Sequence, residues 1–358
     1  MMKRTMSILT LACIYIGTVI GAGFASGQEI IQFFSVYGKF SAIGITVSTI
    51  LFCILGVKLL KITYVERINS LEGFLSLYFK KRTTILINIW LLVFLFISYF
   101  IMLAGSGAII NEYFQIDQLY GIIFMSLICF LVFITGVKGI AKANVLLIPL
   151  LLIIICLIGA YVLHDNYYFI GNHVEENTER ITSFKGLRSL IWLGSAILYV
   201  AFNSISTIVV FTSLRPLIAD KKSAIYGGIL GGIGLGLMAL IINSNLLALY
   251  KDIIGFEIPM IVVASSLGNF SRRVYSIILL VAMFTTAIAN GYGCVQRIGN
   301  ILRVNEKIIS LLICCISVPM AALGFKRLVS FFYPIFGYIG VIFLLVLIVK
   351  ERKRKLKS

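Results

Sequence analysis

Long apolar segments separated by short polar ones make up most of this chain. A membrane-spanning helix needs about 20 apolar residues. Ten segments have roughly that length or more: about 6–36, 40–60, 84–109, 119–136, 145–163, 188–213, 224–250, 272–298, 306–324 and 327–349. A further apolar segment, 258–270, is short and favours a re-entrant or surface helix. The pattern therefore predicts an all-α polytopic membrane protein with about ten transmembrane helices.

Composition and the placement of charge support this prediction. Of 358 residues, 60% are hydrophobic and 13% are charged. The net charge of +17 could suggest a nucleic-acid partner, but the basic residues lie at the ends of apolar segments. Alternate loops are basic and acidic, from Lys3 and Arg4 to the basic tail 350–358, so the positive-inside rule predicts both termini in the cytoplasm. Only Lys326 and Arg327 oppose that orientation.

The first span carries an unusual motif, GTVIGAGFASGQE, from Gly17 to Glu29. A continuous helix from Met6 to Tyr37 would reach ~45 Å, against a hydrocarbon core of about 30 Å. Glycine weakens helix interiors, so we expect the helix to unwind there, with Gly21 to Phe24 out of the helix. The carbonyl groups of Gly17 to Gly21 would then be free to coordinate a cation. The alternative is close packing of a small-residue face, which is the interpretation we give to the glycines of the seventh span.

The end of this motif has the S-x-x-E form of a capping box. In that arrangement Ser26 accepts a hydrogen bond from the amide of Glu29, and the Glu29 carboxylate reaches back to Ser26. The motif therefore predicts that a second half-helix starts at this point. Glu29 could serve only as this cap, or it could receive a substrate amine or carry a coupling proton, because intramembrane carboxylates are functional candidates by default.

Two other spans place polar groups at mid-segment. The sixth span carries Asn203, Ser204, Ser206 and Thr207, which predicts a second interruption, although each side chain could simply bond to the preceding turn. The eighth span carries Thr285 and Thr286 one turn after Ala282, a cluster of three oxygens of the kind that sodium prefers. A Thr-Thr pair alone is weak evidence, since threonine usually bonds to its own backbone.

These three features together resemble the LeuT-type five-plus-five inverted-repeat transporters of the amino acid–polyamine–cation superfamily. The motif GTVIGAGFASGQEI more narrowly resembles the signature of the YkvI-type family of bacterial membrane proteins. The resemblance covers nearly the whole chain and implies one transporter domain, 1–358, in the bacterial cell membrane. Its repeats would span about 6–163 and 188–349, with broken helices 1 and 6.

The resemblance also implies where ligands bind. A sodium site would use the carbonyls of three residues and the hydroxyls of two: Gly17, Ile20, Ala282, Thr285 and Thr286. The substrate would lie against the first, third, sixth and eighth spans, with the segment 258–270 as an outer lid. The candidate substrate-binding residues are Gly21, Ala22, Gly23, Phe24, Ser26, Glu29, Tyr99, Phe202, Asn203, Ser204, Ser206 and Asn290. Phe100 is a further candidate aromatic lid.

Two features depart from typical amino-acid carriers. Glu29 would repel a substrate carboxylate docked on the second half-helix, and no basic residue lies at mid-membrane, which disfavours multiply anionic substrates. The leading hypothesis is a sodium-coupled symporter of a small organic solute, such as an amino acid or amine, that works by alternating access. The alternatives are a transporter-like ligand sensor and proton-coupled transport through Glu29.

Several classes of function are disfavoured. No P-loop motif is present, so ATP-driven transport by this chain alone is not expected. The spans carry no cluster of catalytic side chains, so we do not expect an enzyme, and no cofactor is predicted besides sodium as the coupling ion. His164, His173 and the acidic residues beside them are interpreted as a solvated polar loop.

Overall fold

A computed structural model describes residues 2–135, 149–162, 190–302 and 304–355. These residues form α-helices joined by short turns, and none of them lies in a β-strand. The helices before the second gap are α1 (Met2–Val19), α2 (Ala22–Ser26), α3 (Gln28–Phe33), α4 (Phe40–Val65), α5 (Leu71–Tyr78), α6 (Lys81–Phe114), α7 (Gln118–Thr135) and α8 (Pro149–Val162). Those after it are α9 (Ile191–Phe211), α10 (Lys221–Ala248), α11 (Tyr250–Ile253), α12 (Pro259–Ser265), α13 (Asn269–Leu302), α14 (Glu306–Ala321) and α15 (Phe325–Lys355).

Seven helices in the described part are long and apolar enough to cross a membrane: α4, α6, α7, α9, α10, α13 and α15. The protein is therefore a multi-pass membrane protein. In the described part, the other three predicted spans contain no helix that meets both criteria. The first is divided among α1, α2 and α3, the fifth is the 14-residue α8 and part of it lies outside the described residues, and the ninth is the 16-residue α14. The ten-span inverted repeat stays a prediction.

Glycines set the spacing at the centre of the bundle, where α10 packs against α4 and α1. A Cβ atom on Gly228 would lie 2.5 Å from the backbone nitrogen of Val57, and one on Gly232 would lie 2.7 Å from that of Cys53. A neighbouring face of α10 packs against α1. A Cβ on Gly231, on that face, would lie 2.6 Å from the Tyr15 ring. The interpretation of these glycines as a small-residue packing face is confirmed.

The first span is broken, as predicted, but in two places and over fewer residues. Ile20 and Gly21 leave the helix between α1 and α2, and Gly27 separates α2 from α3 with φ of +86°. The residues between the breaks form a helical turn, so the expectation that Gly21 to Phe24 would be unwound is wrong beyond Gly21. Glycine at both interruptions fits its tolerance of non-helical backbone angles.

The predicted break in the sixth span is wrong, because α9 is one continuous helix from Ile191 to Phe211. The side chains of Asn203, Ser204 and Thr207 donate hydrogen bonds to carbonyl groups three or four residues earlier, at 2.7 to 3.1 Å. These bonds satisfy the polar groups without opening the helix. No glycine or proline lies between Leu198 and Thr207 to interrupt the ladder.

The segment predicted to form a short apolar helix does so as α12, which is seven residues long. Pro259 begins this helix, and Met260 and Ile261 are buried against the bundle. α12 packs on α13, α10 and α2. The loop that was predicted to hold His164 and His173 lies outside the described residues. The basic tail is a continuation of α15 as far as Lys355.

Candidate functional site

The break between α1 and α2 frees a backbone oxygen at the middle of the first span. In a continuous helix the amide of Gly21 would bond to the carbonyl of Gly17. Here the Gly21 amide donates to the carbonyl of Val19 at 3.1 Å. Gly21 itself has an extended conformation, with φ of −111° and ψ of −168°, and its carbonyl accepts from the amide of Ala25 in the next turn. The Gly17 carbonyl therefore loses its usual helical donor.

A cavity of about 190 Å³ lies beside this break. Its walls come from α1 and α2, from α8 and from α13. The lining residues are Gly17, Thr18, Ile20, Gly21, Ala22, Leu151, Ala282, Thr285, Thr286 and Ala289. All five predicted ion-site residues are among them, so the fold brings together two segments that lie more than 250 positions apart in the chain. Sodium binding at this cavity stays a prediction.

The α13 wall presents three oxygens close together. The hydroxyl groups of Thr285 and Thr286 both donate to the carbonyl of Ala282, at 3.1 and 2.8 Å. A hydroxyl that donates its proton still has lone pairs that can accept a hydrogen bond or contact a cation. The threonine hydroxyls therefore bond to their own backbone and remain capable of coordinating an ion.

The chemistry of this lining suits a small hard cation. Its oxygens are neutral carbonyls and hydroxyls, and none of its residues carries an ionisable side chain. Divalent ions are typically held by negatively charged carboxylates. Uncharged oxygen ligands suit an ion with a single positive charge better. The volume corresponds to several water molecules, since each occupies about 30 Å³ in the liquid. An ion with part of its hydration shell would therefore fit.

The capping-box prediction is wrong. Gly27, in the left-handed conformation, is itself the residue that precedes α3, and no side chain caps this helix start. The Ser26 hydroxyl donates to the carbonyl of Gly23 at 2.6 Å and accepts from the amide of Gln28 at 3.2 Å. Glu29 does not cap the helix.

The Glu29 carboxyl group instead lies against Gly23, and Glu29 is only 5% exposed. A Cβ atom on Gly23 would be 2.3 Å from Glu29 Oε1 and 2.9 Å from the Tyr333 hydroxyl oxygen. The other carboxyl oxygen, Oε2, has no hydrogen-bond partner in the described part. Glu29 Oε1 and the Tyr333 hydroxyl group therefore both lie beside Gly23, where the broken span meets α15.

One of the predicted substrate residues on α9, Phe202, lies close to these groups. The ring of Phe202 stacks on that of Tyr333 with centroids 4.4 Å apart. Asn203 and Ser204 are buried and bond to their own helix, and Ser206 is half-buried. Phe24 and Ser26 are also buried, on α2. The structure thus groups most of the predicted substrate residues around α2 and α3.

Tyr99 and Asn290 lie apart from that group. The Tyr99 hydroxyl is 3.3 Å from the sulfur of Cys314, and its ring packs against Phe133, on α14 and α7 respectively. Phe100 packs against Phe332 with ring centroids 5.8 Å apart. Asn290 is half-buried on α13 and is not among the residues that line the cavity.

The sequence-based prediction missed five residues beside the two polar sites. Thr18, Leu151 and Ala289 line the cavity. Tyr199 and Tyr333 are buried near Glu29. Thr18 lies within the GTVIGAGFASGQE motif, so the sequence could have indicated its hydroxyl as a site group. Nothing in the sequence indicated Leu151 or Tyr333, since they lie in distant, mainly apolar spans.

A larger groove of about 790 Å³ lies elsewhere, on α4 and α15. Its walls include the exposed side chains of Ile54 and Val65. A salt bridge of 2.6 Å joins Lys58 to Glu351 within it. None of the residues of the broken span lines this groove, so it does not compete with the smaller cavity as the site at the helix break.

No family model matches this chain. Comparison with individual proteins nevertheless places it in a family. The chain is 30% identical over 349 residues to "Uncharacterized membrane protein YkvI" of Bacillus subtilis (strain 168), and the match covers 96% of each chain. This chain belongs to the YkvI family. "Uncharacterized protein YyaD" of the same organism is 26% identical over 339 residues, covering 93% of this chain and 94% of YyaD.

A solved structure has a similar fold. The manganese transporter of Eremococcus coleocola superposes with a TM-score of 0.59 at 13% sequence identity, over 93% of this chain and 76% of that one. At this level of identity the similarity concerns the fold alone. The predicted resemblance to the YkvI-type family is confirmed, and the fold of this YkvI-family protein is one that a transporter also uses.

Proposed function

We propose that this YkvI-family protein is a secondary active transporter that couples sodium to the movement of a small organic solute, such as an amino acid or amine. One observation carries the proposal: a single cavity joins the break of the first span to the Ala282, Thr285 and Thr286 oxygens of α13. Transporters often bind ions at such discontinuous helices near the bilayer midplane. The fold shared with a known transporter supports transport in place of catalysis.

The geometry supports an alternating-access mechanism. The helix α2 is one short turn with a non-helical residue at each end, so it can move relative to both α1 and α3. The Tyr275 hydroxyl of α13 donates to the carbonyl of Ala25, which ties α2 to the helix that carries the threonines. An ion that contacts both α1 and α13 would hold these elements together, and its release would allow them to separate.

Sodium binding can be tested without knowing the substrate. A ligand that binds only the folded state stabilises it by about 2.7 kcal/mol at a concentration one hundredfold above its Kd. We expect sodium chloride, but not choline chloride at equal ionic strength, to raise the thermal unfolding midpoint of the purified protein. Thr286→Ala should abolish most of this shift.

Thr46→Ala is the matched control. The exposed Thr46 on α4 also donates to the carbonyl four residues earlier, at 2.9 Å, so its removal reproduces the loss of a helical hydroxyl away from the cavity. An equal sodium shift in wild type and Thr286→Ala would contradict the ion site. Screening amino acids and amines for sodium-dependent shifts, followed by uptake into proteoliposomes, then tests transport itself.

A further inference from the structure

The first span contains a second polar site, where α3 meets the start of α2. Glu29 is buried on α3, and its carboxyl group folds back onto Gly23. The absence of a side chain at Gly23 makes this contact possible, because a Cβ would overlap Oε1. The cavity is lined by Gly21 and Ala22, the residues just before Gly23, and neither Gly23 nor Glu29 lines it. Two sites with different residues therefore adjoin the start of one short helix.

Among the residues that the structure describes, no positively charged group pairs with Glu29. α3 packs against α2, α9, α10 and α15. Among the described residues, the titratable groups that face Glu29 are the phenols of Tyr199 on α9 and Tyr333 on α15. No salt bridge reaches Glu29 in this part of the chain, and both Glu29 Oε2 and the Tyr199 hydroxyl are buried without a hydrogen-bond partner. The rings of Phe33 and Phe34 pack on Tyr199 and keep the region apolar.

An isolated carboxylate in such surroundings is strongly destabilised. Burying an ionised carboxyl group without a partner costs many kilocalories per mole, and the usual relief is to take up a proton. A neutral carboxylic acid carries no charge into the apolar surroundings, and its O–H adds a donor to a group that otherwise only accepts hydrogen bonds. The burial of Glu29, with Oε2 unpartnered and no cation paired to it in the described part, is therefore accommodated best when Glu29 is protonated.

We propose that Glu29, with Gly23 and Tyr333, is a proton-binding site that acts alongside the proposed sodium cavity, so that one transport cycle carries both a sodium ion and a proton. The proton binds to the carboxylate from water when the site opens to one side of the membrane, and the carboxylic acid returns it to water when the site opens to the other. Proton binding by Glu29 is independent of the proposed transport function. Only the movement of that proton across the membrane rests on it.

Infrared spectroscopy of the purified protein in lipid membranes at pH 7 tests the site directly. The carbonyl stretch of a protonated carboxylic acid is separate from that of a carboxylate. We expect one such absorption per chain in the wild type and its loss in Glu29→Gln. Glu72→Gln is the control, because it removes an exposed carboxyl group on α5 and should leave the absorption unchanged. Loss of a carboxylate absorption in Glu29→Gln, with no change in the acid region, would overturn the proposal.

A second variant keeps the test decisive if Glu29→Gln folds poorly. Tyr333→Phe removes the neighbouring hydroxyl while keeping the ring that stacks on Phe202. We expect the acid absorption to remain but to shift, since a polar group next to the carboxyl group is gone. An unshifted absorption would contradict the assignment of Tyr333 to the proton-binding site.

Thr286→Ala separates the two sites. It should remove the sodium-dependent stabilisation and leave the Glu29 absorption in place. If instead the sodium shift is absent in the wild type while the acid absorption is present, the sodium proposal fails and the proton site stands. If the sodium shift is present and the acid absorption is absent, the proton site fails alone.

Discussion

At the scale of single residues, Gly27 determines how the broken span continues. Its φ of +86° lies in the left-handed region, which costs other residues about 1–2 kcal/mol. A Cβ there would also lie 3.0 Å from Met260 Cγ and 3.2 Å from a Leu246 methyl carbon. We expect Gly27→Ala to destabilise the protein by about 2 kcal/mol and to lower its thermal unfolding midpoint.

Gly268→Ala provides the comparison for this prediction. Gly268 also has a positive φ, of +100°, but a Cβ at that position would meet no atom within 4 Å. It therefore reports the cost of the backbone conformation without the packing cost. Gly27→Ala should be the less stable of the two variants. An unchanged midpoint in Gly27→Ala would show that the left-handed turn is not required.

Glu29 shows why a residue's role was not predictable from its local motif. The pattern of Ser26 and Glu29 predicts a capping box, and that pattern depends on regular geometry in the residues between them. Gly27 breaks that geometry, and the hydroxyl group that shares the surroundings of Gly23 with Glu29 comes from Tyr333, more than 300 residues away. The motif located a special position correctly, but its chemistry depends on contacts that only the folded chain provides.

At the scale of helices, the glycine face of α10 controls the approach of α4. Replacing a helical glycine with alanine on an open surface stabilises a helix by up to about 1 kcal/mol. Gly194 on α9 is open, since a Cβ there would meet no atom within 4 Å, so Gly194→Ala should be neutral or stabilising. Gly232→Ala makes the same chemical change where the Cβ would lie 2.7 Å from backbone.

We therefore expect opposite effects from these two substitutions. Gly232→Ala should lower the thermal unfolding midpoint, because the α4 backbone must move away to admit the methyl group. The measurement is thermal unfolding of both variants in the same lipid or detergent. Equal midpoints would contradict the close packing of α4 and α10.

The same scale explains which breaks could be predicted. In the first span, glycine supplies the angles that the interruption needs, and the break was predictable from Gly21 and Gly27. In the sixth span, polar side chains alone suggested a break, but Asn203 and Ser204 bond back to their own helix. Polar side chains within a span do not by themselves interrupt its helix, because they can bond to the preceding turn. In this chain the interruptions occur where glycine allows non-helical backbone angles.

At the scale of the whole molecule, polar contacts tie the broken span to other elements at both of its ends. At the start of α3, the Gln28 side chain donates to the carbonyls of Phe256 and Glu257 at 3.0 Å, in the loop before α12. Glu112 of α6 accepts from the Glu257 amide at 2.7 Å, and the Glu257 carboxylate accepts from the amide of Lys326 at 2.7 Å. Alternating access at this end would require these bonds to open together.

The opposite end of the span is tied through α1. Arg4 Nε donates to the carboxylate of Asp220 at 2.6 Å, and the Ser7 hydroxyl donates to the carbonyl of Leu217, also at 2.6 Å. Hydrogen bonds from the Ser223 side chain and amide, and then the Arg4 guanidinium, lower the pKa of Asp220 to about 2. Because this pKa lies below that of the unfolded chain, the contribution to stability is present at neutral pH and is lost only as the pH falls towards 2.

This tie predicts how α1 responds when the Asp220 charge is removed. Asn caps a helix about as well as Asp, so Asp220→Asn should keep the start of α10 intact while weakening the attraction to Arg4. We expect faster amide hydrogen exchange in residues 3–10 at pH 7, with exchange in the first turn of α10 unchanged. Asp252→Asn removes an equal charge at an exposed site and should leave α1 as it is. Faster exchange confined to α10 would show that Asp220 serves only as a helix cap.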